Sequence, residues 1–321
     1  MGKMLKLADI QGNIVQAYRF PLARYIMFQV TEEGKAREFI KKIIPHITTG
    51  EMWEKGGKPE VTTNIAFSYQ GLKAIGLNES SLRQFPLAFA EGMKARAHLL
   101  GDEGESGPHQ WDECWQEHVD ILLTINALKS LCDSTGGIKV LGQQDANVLF
   151  YNGKPCAKEH FGFDDGIGNP SFSGTDLATM KIPGKGKQLA DGSWVPLAAG
   201  EFILGHADES QAIPEAPRPR LLTDNGTYMV YRKLHQNVAS FRKYLVRLRR
   251  DGKFWRPKWR GVGLTEHRWS YPHMDKTRRY ALIPRAIMTL TIPETKTPLP
   301  VLSGLMSGVR TREAVLVSMG N

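Results

Sequence analysis

Hydrophobic and polar positions alternate along the first 150 residues in a pattern that predicts short strands separated by helices. Residues 24–30 (RYIMFQV) alternate and are rich in aromatic and β-branched side chains, which predicts a strand. Residues 33–44 place apolar side chains at helical spacing, and Pro45 is expected to end this helix. The same criteria predict strands over residues 64–69, 118–125 and 138–151, and helices over residues 80–100 and 126–132.

This order of elements predicts an α+β fold in which helices pack on a largely antiparallel sheet of the ferredoxin-like kind. The predicted helix 80–100 has one apolar face, formed by Leu82, Phe85, Phe89, Met93 and Ala97. From residue 151 to about 187 the chain is rich in Gly, Pro and Asp, which is typical of a long loop with a function. Regular patterns return at 200–205 and 226–234 and in a helix over 237–248. We therefore predict a domain boundary near residue 150.

The composition is that of a globular protein, and the sequence features below bear on the cellular compartment in which the protein is expected. The chain has 321 residues, of which 41% are hydrophobic and 23% charged, and it contains no run of about 18 apolar residues that could cross a membrane. Asp9, Gln11 and Asn13 interrupt any apolar stretch of a secretory signal. The three cysteines form no CxxC pair, which argues against a zinc site or a disulfide scaffold. These features predict a cytoplasmic protein with no membrane partner.

The positive charge of the chain is concentrated in one segment. The net charge is +9, and residues 241–269 contain ten Lys or Arg against two acidic residues, with Phe254, Trp255, Trp259 and Trp269 between them. Three interpretations stay open from the residues alone. The segment is a solvated helix face followed by a basic loop, a surface for nucleic acid, or a source of positive potential that attracts a small anionic ligand.

Two segments contain candidate chemistry. In residues 159–170 (EHFGFDDGIGNP), the adjacent Asp164 and Asp165 precede Gly166, so the segment is either a simple turn or a turn that brings a carboxylate close to a ligand. His160 lies beside this segment. His273 lies in a cationic stretch (SYPHMDKTRRYALIPR) whose arginines include Arg279 and Arg285, side chains that can bind acidic groups of a ligand. A structural role is the default interpretation for each histidine.

The FGFDDG segment resembles the GXXDG motif of the dye-decolourising peroxidases. Other segments stand in that family's order: DIQGNIV, NIAFSYQGL, FAEGMKARAHLLGD, GEFILG and NGTYMVYRKL, so that the resemblance runs from Asp9 to about Met288. It implies two ferredoxin-like modules, residues 1–150 and 151–321, with haem b in the second. It also implies a peroxidase that reduces hydrogen peroxide and oxidises bulky aromatic donors such as anthraquinone-type dyes.

The resemblance also assigns roles to individual residues. Asp165 falls on the family's distal acid, the group that moves a proton between the two oxygens of peroxide. His273, in the segment HMDKT, falls on the iron ligand. Gly166 and Ile167 of the Asp165 loop are expected to bind the cofactor. Arg279 and Arg285 are expected either to bind its propionates or to take the place of the family's distal arginine. A homo-oligomer is a further expectation.

Two departures from the family pattern bear on activity. Thr289 stands where the family has a distal arginine, and the chain ends before the family's last helix and strand. The alternative is therefore a degenerate member that binds haem or a partner with little or no turnover. Because most of the net positive charge lies just ahead of His273, an anionic cofactor or dye is a better expectation than nucleic acid.

Overall fold

A computed structural model describes residues 5–53, 57–127, 139–164, 169–175, 183–250 and 310–318. The strands, in chain order from β1 to β10, are Leu22–Gln29, Val61–Phe67, Ile121–Ala127, Lys139–Asn147, Leu149–Tyr151, Lys154–Cys156, Lys187–Gln188, Trp194–Val195, Thr227–His235 and Arg310–Ser318. The α-helices, from α1 to α8, are Gly12–Val15, Glu33–Ile43, Tyr69–Ala74, Glu79–Leu82, Leu87–Ala95, Ala97–Leu100, Arg220–Thr223 and Val238–Arg250.

Six strands form the main sheet, in the order β4-β1-β3-β2-β10-β9. Every neighbouring pair is antiparallel, and in β1 the residue Tyr25 lies opposite Thr124 on one side and Gln144 on the other. The order β4-β1-β3-β2, with α2 between β1 and β2, is the ferredoxin-like arrangement predicted from the sequence. The α+β fold class is therefore confirmed, with a complete ferredoxin-like strand order in the first 150 residues.

Side chains alternate across this sheet and build a core on each face. Ile26 and Phe28 of β1 lie in the cluster that contains Phe39 of α2 and Phe89 of α5. Tyr25, which points to the opposite face, lies in a second cluster with Met27, Trp111, Trp115 and Tyr231. Because neighbouring strand residues face opposite sides, a sheet covered on both faces buries nearly every position of its central strands. In β1, the six residues between its two ends are all buried.

Strand β9 belongs to the second half of the chain, yet its side chains share the core of the first half. The Tyr231 ring lies 5.0 Å from that of Tyr25, centroid to centroid, and the Tyr231 hydroxyl donates a hydrogen bond of 2.7 Å to Gln144 Oε1 on β4. Lys233 and Arg232 form ion pairs with Asp112 and Asp102. The predicted domain boundary near residue 150 stays a prediction.

The predicted helix over residues 80–100 is wrong as a single element. The chain forms three short helices there, α4, α5 and α6. Pro86, which cannot continue a helix, precedes α5, and Arg96 leaves the helical conformation between α5 and α6. Gly92, with a left-handed φ of 72°, kinks α5 from within. The apolar face was nevertheless predicted correctly. All five of its residues are buried.

Three other boundaries also differ from the sequence prediction. The predicted strand 138–151 is two strands, β4 and β5, and β5 pairs with β6 in a hairpin. Residues 200–205 form a 3-10 helix, Ala199–Glu201, and turns. Asn126 is the start of a predicted helix but lies in β3, and residues 128–132 lie outside the described residues. The strand over 226–234 and the helix over 237–248 are confirmed as β9 and α8.

The N-terminal segment ties the sheet to the long loop region. The side chain of Gln11 pairs with the backbone of Ile65 in β2, donating to its carbonyl and accepting from its N–H, both at 2.9 Å. Ile10 and Ile14 pack with Phe172 and Ile203 in a third apolar cluster. The DIQGNIV segment is therefore a strap that holds residues 170–205 against the sheet.

Candidate functional site

The residues assigned to catalysis and cofactor binding fall outside the described residues. These residues are Asp165, Gly166, Ile167, His273, Arg279 and Arg285, and Thr289 lies outside them too. The structure does describe the segment that leads directly to Asp165. This segment, residues 158–164, is a defined loop.

A carboxylate organises the loop of residues 158–164. Glu159 accepts hydrogen bonds from the backbone N–H of Phe161 at 2.8 Å and of Phe163 at 2.7 Å. The loop turns at Gly162, whose φ of 100° lies in the region that favours glycine. The Glu159 backbone N–H also donates to the Phe163 carbonyl at 2.9 Å, so the loop is closed on itself.

The base of the loop is fixed by a second interaction. Lys158 and Asp164 form an isolated antiparallel bridge, and Lys158 Nζ lies 3.1 Å from Asp164 Oδ1. Of the two adjacent aspartates in the segment, Asp164 is thus engaged in a partly exposed ion pair. Asp165 is the next residue along the chain.

The loop is also attached to the second half of the chain. Gln236, the residue after β9, donates its side-chain N–H to Glu159 Oε2 at 2.6 Å. Phe241 of α8 packs against Phe161 at 4.5 Å and Phe163 at 6.2 Å between ring centroids. The loop of residues 158–164 is therefore closed internally and anchored to β9 and α8.

His160 lies between these contacts in a half-buried position. Burial lowers the pKa of its imidazole, and the neighbouring Glu159 carboxylate opposes this shift. The neutral form of His160 is therefore favoured beside the loop.

Sequence reasoning missed Glu159, Gln236 and Phe241. Glu159 stands in the motif itself, and the only signal for its role is its position before the Gly162 turn. Gln236 is 77 residues away in sequence. No local pattern connects two such residues, so their contact becomes visible only in the fold.

Metal sites, disulfides and membrane-spanning helices can be assessed only in the part of the chain that the structure describes. There, no group of three or more His, Cys, Asp and Glu side chains is placed to hold a metal ion, and Cys114 and Cys156 are free thiols. Within the same residues, none of the helices has both the length and the apolar character needed to cross a membrane. Arg242, Lys243 and Arg247 are exposed on α8, which agrees with a solvated helix face for that part of the basic segment.

Comparison with known proteins gives relatives of one kind. Residues 9–137 match the family model of the DyP dimeric alpha+beta barrel domain. Peroxidase 2 of Mycetinis scorodonius is 28% identical over 250 residues, which are 75% of this chain and 46% of that protein. A dye-decolorizing peroxidase of Mycena epipterygia is 28% identical over 254 residues, 75% of this chain and 44% of that protein. The chain thus spans a little under half the length of these relatives.

Solved structures of the same kind share the fold. The structure of an ancestral D-type dye decolorizing peroxidase has a TM-score of 0.59 at 25% identity and covers 76% of this chain and 52% of its own. A crystal structure of DyP has a TM-score of 0.61 at 22% identity and covers 76% of this chain and 51% of its own, a likeness of fold alone. Residues 9–137 thus match the DyP dimeric alpha+beta barrel domain, and about three quarters of the chain is similar in sequence and in fold to dye-decolorizing peroxidases.

Proposed function

We propose that this chain is a haem-dependent peroxidase that reduces hydrogen peroxide and oxidises bulky aromatic donors such as anthraquinone-type dyes. The observation that carries the proposal is the closed, anchored loop of residues 158–164, which directly precedes Asp165 in the sequence. A loop of this kind is what acid–base catalysis needs, because a proton-transfer group must be held within hydrogen-bond reach of its substrate. The relatives named above are peroxidases, which supports the same reaction class.

The described surroundings of the loop fit a planar apolar cofactor. The rings of Phe161, Phe163 and Phe241 form an aromatic cluster at the loop. Nearby, Gln236 Oε1 is buried and has no hydrogen-bond partner among the described residues, so an acceptor is free on this side of the loop. An apolar aromatic wall with few polar groups is typical of a cofactor site. His273 is proposed as the iron ligand, and Gly166, Ile167, Arg279 and Arg285 as further cofactor contacts.

In this proposal the chain's own residues move protons and hold charge. Reduction of hydrogen peroxide to two waters takes two electrons and two protons, and the aromatic donor supplies the electrons. Haem, when bound, supplies the iron centre through which those electrons pass. The Asp165 carboxylate takes a proton from one peroxide oxygen and returns it to the departing oxygen. Arg279 and Arg285 pair with the propionates as charge-assisted hydrogen-bond donors.

The two adjacent aspartates give a sharp test. In the chain reconstituted with haemin, Asp165→Asn should keep the Soret band but lower kcat/KM for dye oxidation in acid by about 10²- to 10⁴-fold, the usual contribution of a general acid–base. Asp164→Asn is the matched control. Because Asp164 is already paired with Lys158, this variant should retain most of its turnover.

The iron ligand has its own test. His273→Ala should lose or shift the Soret band, and the control His46→Ala, at an exposed position, should not. Equal losses in Asp164→Asn and Asp165→Asn, or a Soret band unaltered by His273→Ala, would contradict the assignment.

The compartment is proposed to be the cytoplasm, in keeping with the free thiols of Cys114 and Cys156.

A further inference from the structure

A cavity of about 420 Å³ lies at the ends of β1, β3 and β4. Its wall includes the segment 16–21 and residues 155–157, together with Asn169. Its volume falls in the range of about 300–1,000 Å³ that small-molecule sites occupy. The cavity is therefore large enough for an organic molecule, which an ordinary packing void is not.

Polar side chains without charge line part of the wall, namely Gln16, Asn126, Asn147 and Asn169. Asn126 donates a hydrogen bond to Thr62 Oγ1 at 3.1 Å, and Asn147 donates to the Val148 carbonyl at 3.0 Å. These contacts hold two of the amides in place at the ends of β3 and β4. The cavity is therefore bordered by fixed polar groups on this side.

Two cationic side chains, Arg19 of the wall and its neighbour Lys58, lie together without a carboxylate partner among the described residues. Arg19 lines the cavity, and its carbonyl oxygen accepts a hydrogen bond of 3.1 Å from Lys58 Nζ. No ion pair joins Arg19 or Lys58 to a carboxylate among the described residues, and none of the described lining residues is Asp or Glu. Burial and the charge of Arg19 together lower the pKa of Lys58. An anion placed here would relieve that repulsion.

The backbone holds Arg19 in an unusual conformation. Its φ of 52° lies in the left-handed region that residues other than glycine rarely adopt. Such positions are concentrated at ligand-binding sites, where the surrounding structure maintains the strain. Here the surrounding structure is Lys58, whose ammonium also lies 4.0 Å from the centre of the Phe20 ring. The guanidinium is therefore presented from a fixed backbone.

Aromatic and small apolar side chains form the rest of the wall. Phe20 and Tyr25 both line the cavity and are both buried. Alanine and proline residues on the segment and on β1 leave room between them. Flat apolar surfaces beside a fixed guanidinium match a molecule that has an aromatic body and a carboxylate, since arginine binds carboxylates through paired hydrogen bonds.

We propose that this cavity binds a small aromatic carboxylate, with Arg19 holding the carboxylate and Phe20 and Tyr25 contacting the ring. The site lies in the wall from which the Asp165 loop starts and to which it returns, since Ala157 and Asn169 flank that loop. Its occupancy does not depend on haem or on turnover. It is a site for an organic anion in addition to the proposed peroxide site.

Calorimetric titration of the purified 321-residue chain, with and without haemin, tests the proposal. The probes are 2-naphthoate, the neutral 2-naphthalenemethanol and acetate. We expect 2-naphthoate to bind in both preparations, and the other two to bind at least about tenfold more weakly, since each lacks one of the two recognised features. Failure of the haem proposal would leave this result unchanged.

Variants at exposed positions keep the test independent of folding. Arg19→Gln should weaken 2-naphthoate binding by about tenfold or more, whereas Arg83→Gln, the same charge change on α4's exposed end, should leave it unchanged. Ala157→Trp should fill the cavity and abolish binding with no change in thermal unfolding. Absence of 2-naphthoate binding, or equal binding by Arg19→Gln and the unaltered chain, would overturn the proposal.

Discussion

A single carboxylate at Glu159 determines the shape of the loop that leads to Asp165. Its two oxygens accept from two backbone N–H groups and from Gln236, so three donors that would otherwise need water are satisfied within the protein. Hydrogen bonds to a charged acceptor are stronger than neutral ones. The loop that precedes the proposed acid is therefore shaped by a different carboxylate, six positions earlier in the chain.

His160, beside that carboxylate, gives the fold a dependence on pH. Its folded-state pKa lies below the ordinary value of 6.5, so the unfolded chain binds a proton more readily than the folded chain does. Stability therefore rises with pH up to about 6.5 and falls as the pH drops below it. In urea titrations at neutral pH and at about pH 5.5, His160→Gln should lose less stability on acidification than the unaltered chain.

The matched control for this prediction is His46→Gln, at an exposed position after α2. It should lose as much stability between the two pH values as the unaltered chain. If His160→Gln behaves like this control, burial does not disfavour the charged imidazole, and the environment described for His160 is wrong.

Between elements, helix α3 and strand β3 approach each other more closely than side chains allow. A Cβ built on Gly71 would overlap the backbone carbonyl of Asp120, which precedes β3. Ser68 is the N-cap residue of α3, and its Oγ accepts a hydrogen bond of 2.9 Å from the Gly71 N–H. The glycine in the NIAFSYQGL segment is therefore required by contact between two backbones.

Gly71→Ala should destabilise the chain by about 3 kcal/mol, because one of two backbone segments must move to admit the methyl group. Gly34→Ala in α2 is a control of the same chemistry with the opposite sign. No atom lies within 4 Å of a Cβ at Gly34, so the change should stabilise by about 0.5–1 kcal/mol through the lower backbone entropy of alanine. Chemical denaturation of the two variants measures both values, and effects of the same sign would contradict this account.

The helices α4 to α6 show how far the sequence determines the elements. The apolar spacing over residues 80–100 predicts correctly which side chains are buried, since burial follows from hydrophobicity. It does not predict the kink in α5, because the φ of 72° at Gly92 is a property of one backbone position. The candidate site divides in the same way. The motif identifies Asp165, but the contact of Glu159 with Gln236 depends on how distant segments pack.

At the scale of the whole molecule, the two halves of the chain are joined through one core. Tyr231 of β9 packs against Tyr25 and Trp115, and its hydroxyl reaches Gln144 on β4, at the opposite end of the strand order. Asp102, whose side chain is 2% exposed, pairs with Arg232 at 2.9 Å. A buried carboxylate is costly unless it is paired. Separation of β9 from the first half would remove Arg232 and leave the buried Asp102 carboxylate without this partner.

This shared core predicts that the two halves unfold together. Tyr231→Phe keeps the ring contacts but leaves the buried Gln144 oxygen without its donor, so it should cost about 1–2 kcal/mol. Tyr25→Phe is the control, since the Tyr25 hydroxyl makes no hydrogen bond in the described part of the chain, and it should cost less. Thermal unfolding followed by near-ultraviolet and by far-ultraviolet circular dichroism should give coincident transitions in both variants, with the midpoint lower in Tyr231→Phe. If the halves share a core, the loss of one hydroxyl in β9 lowers the stability of both halves together. Two separate transitions would show instead that the two halves unfold independently.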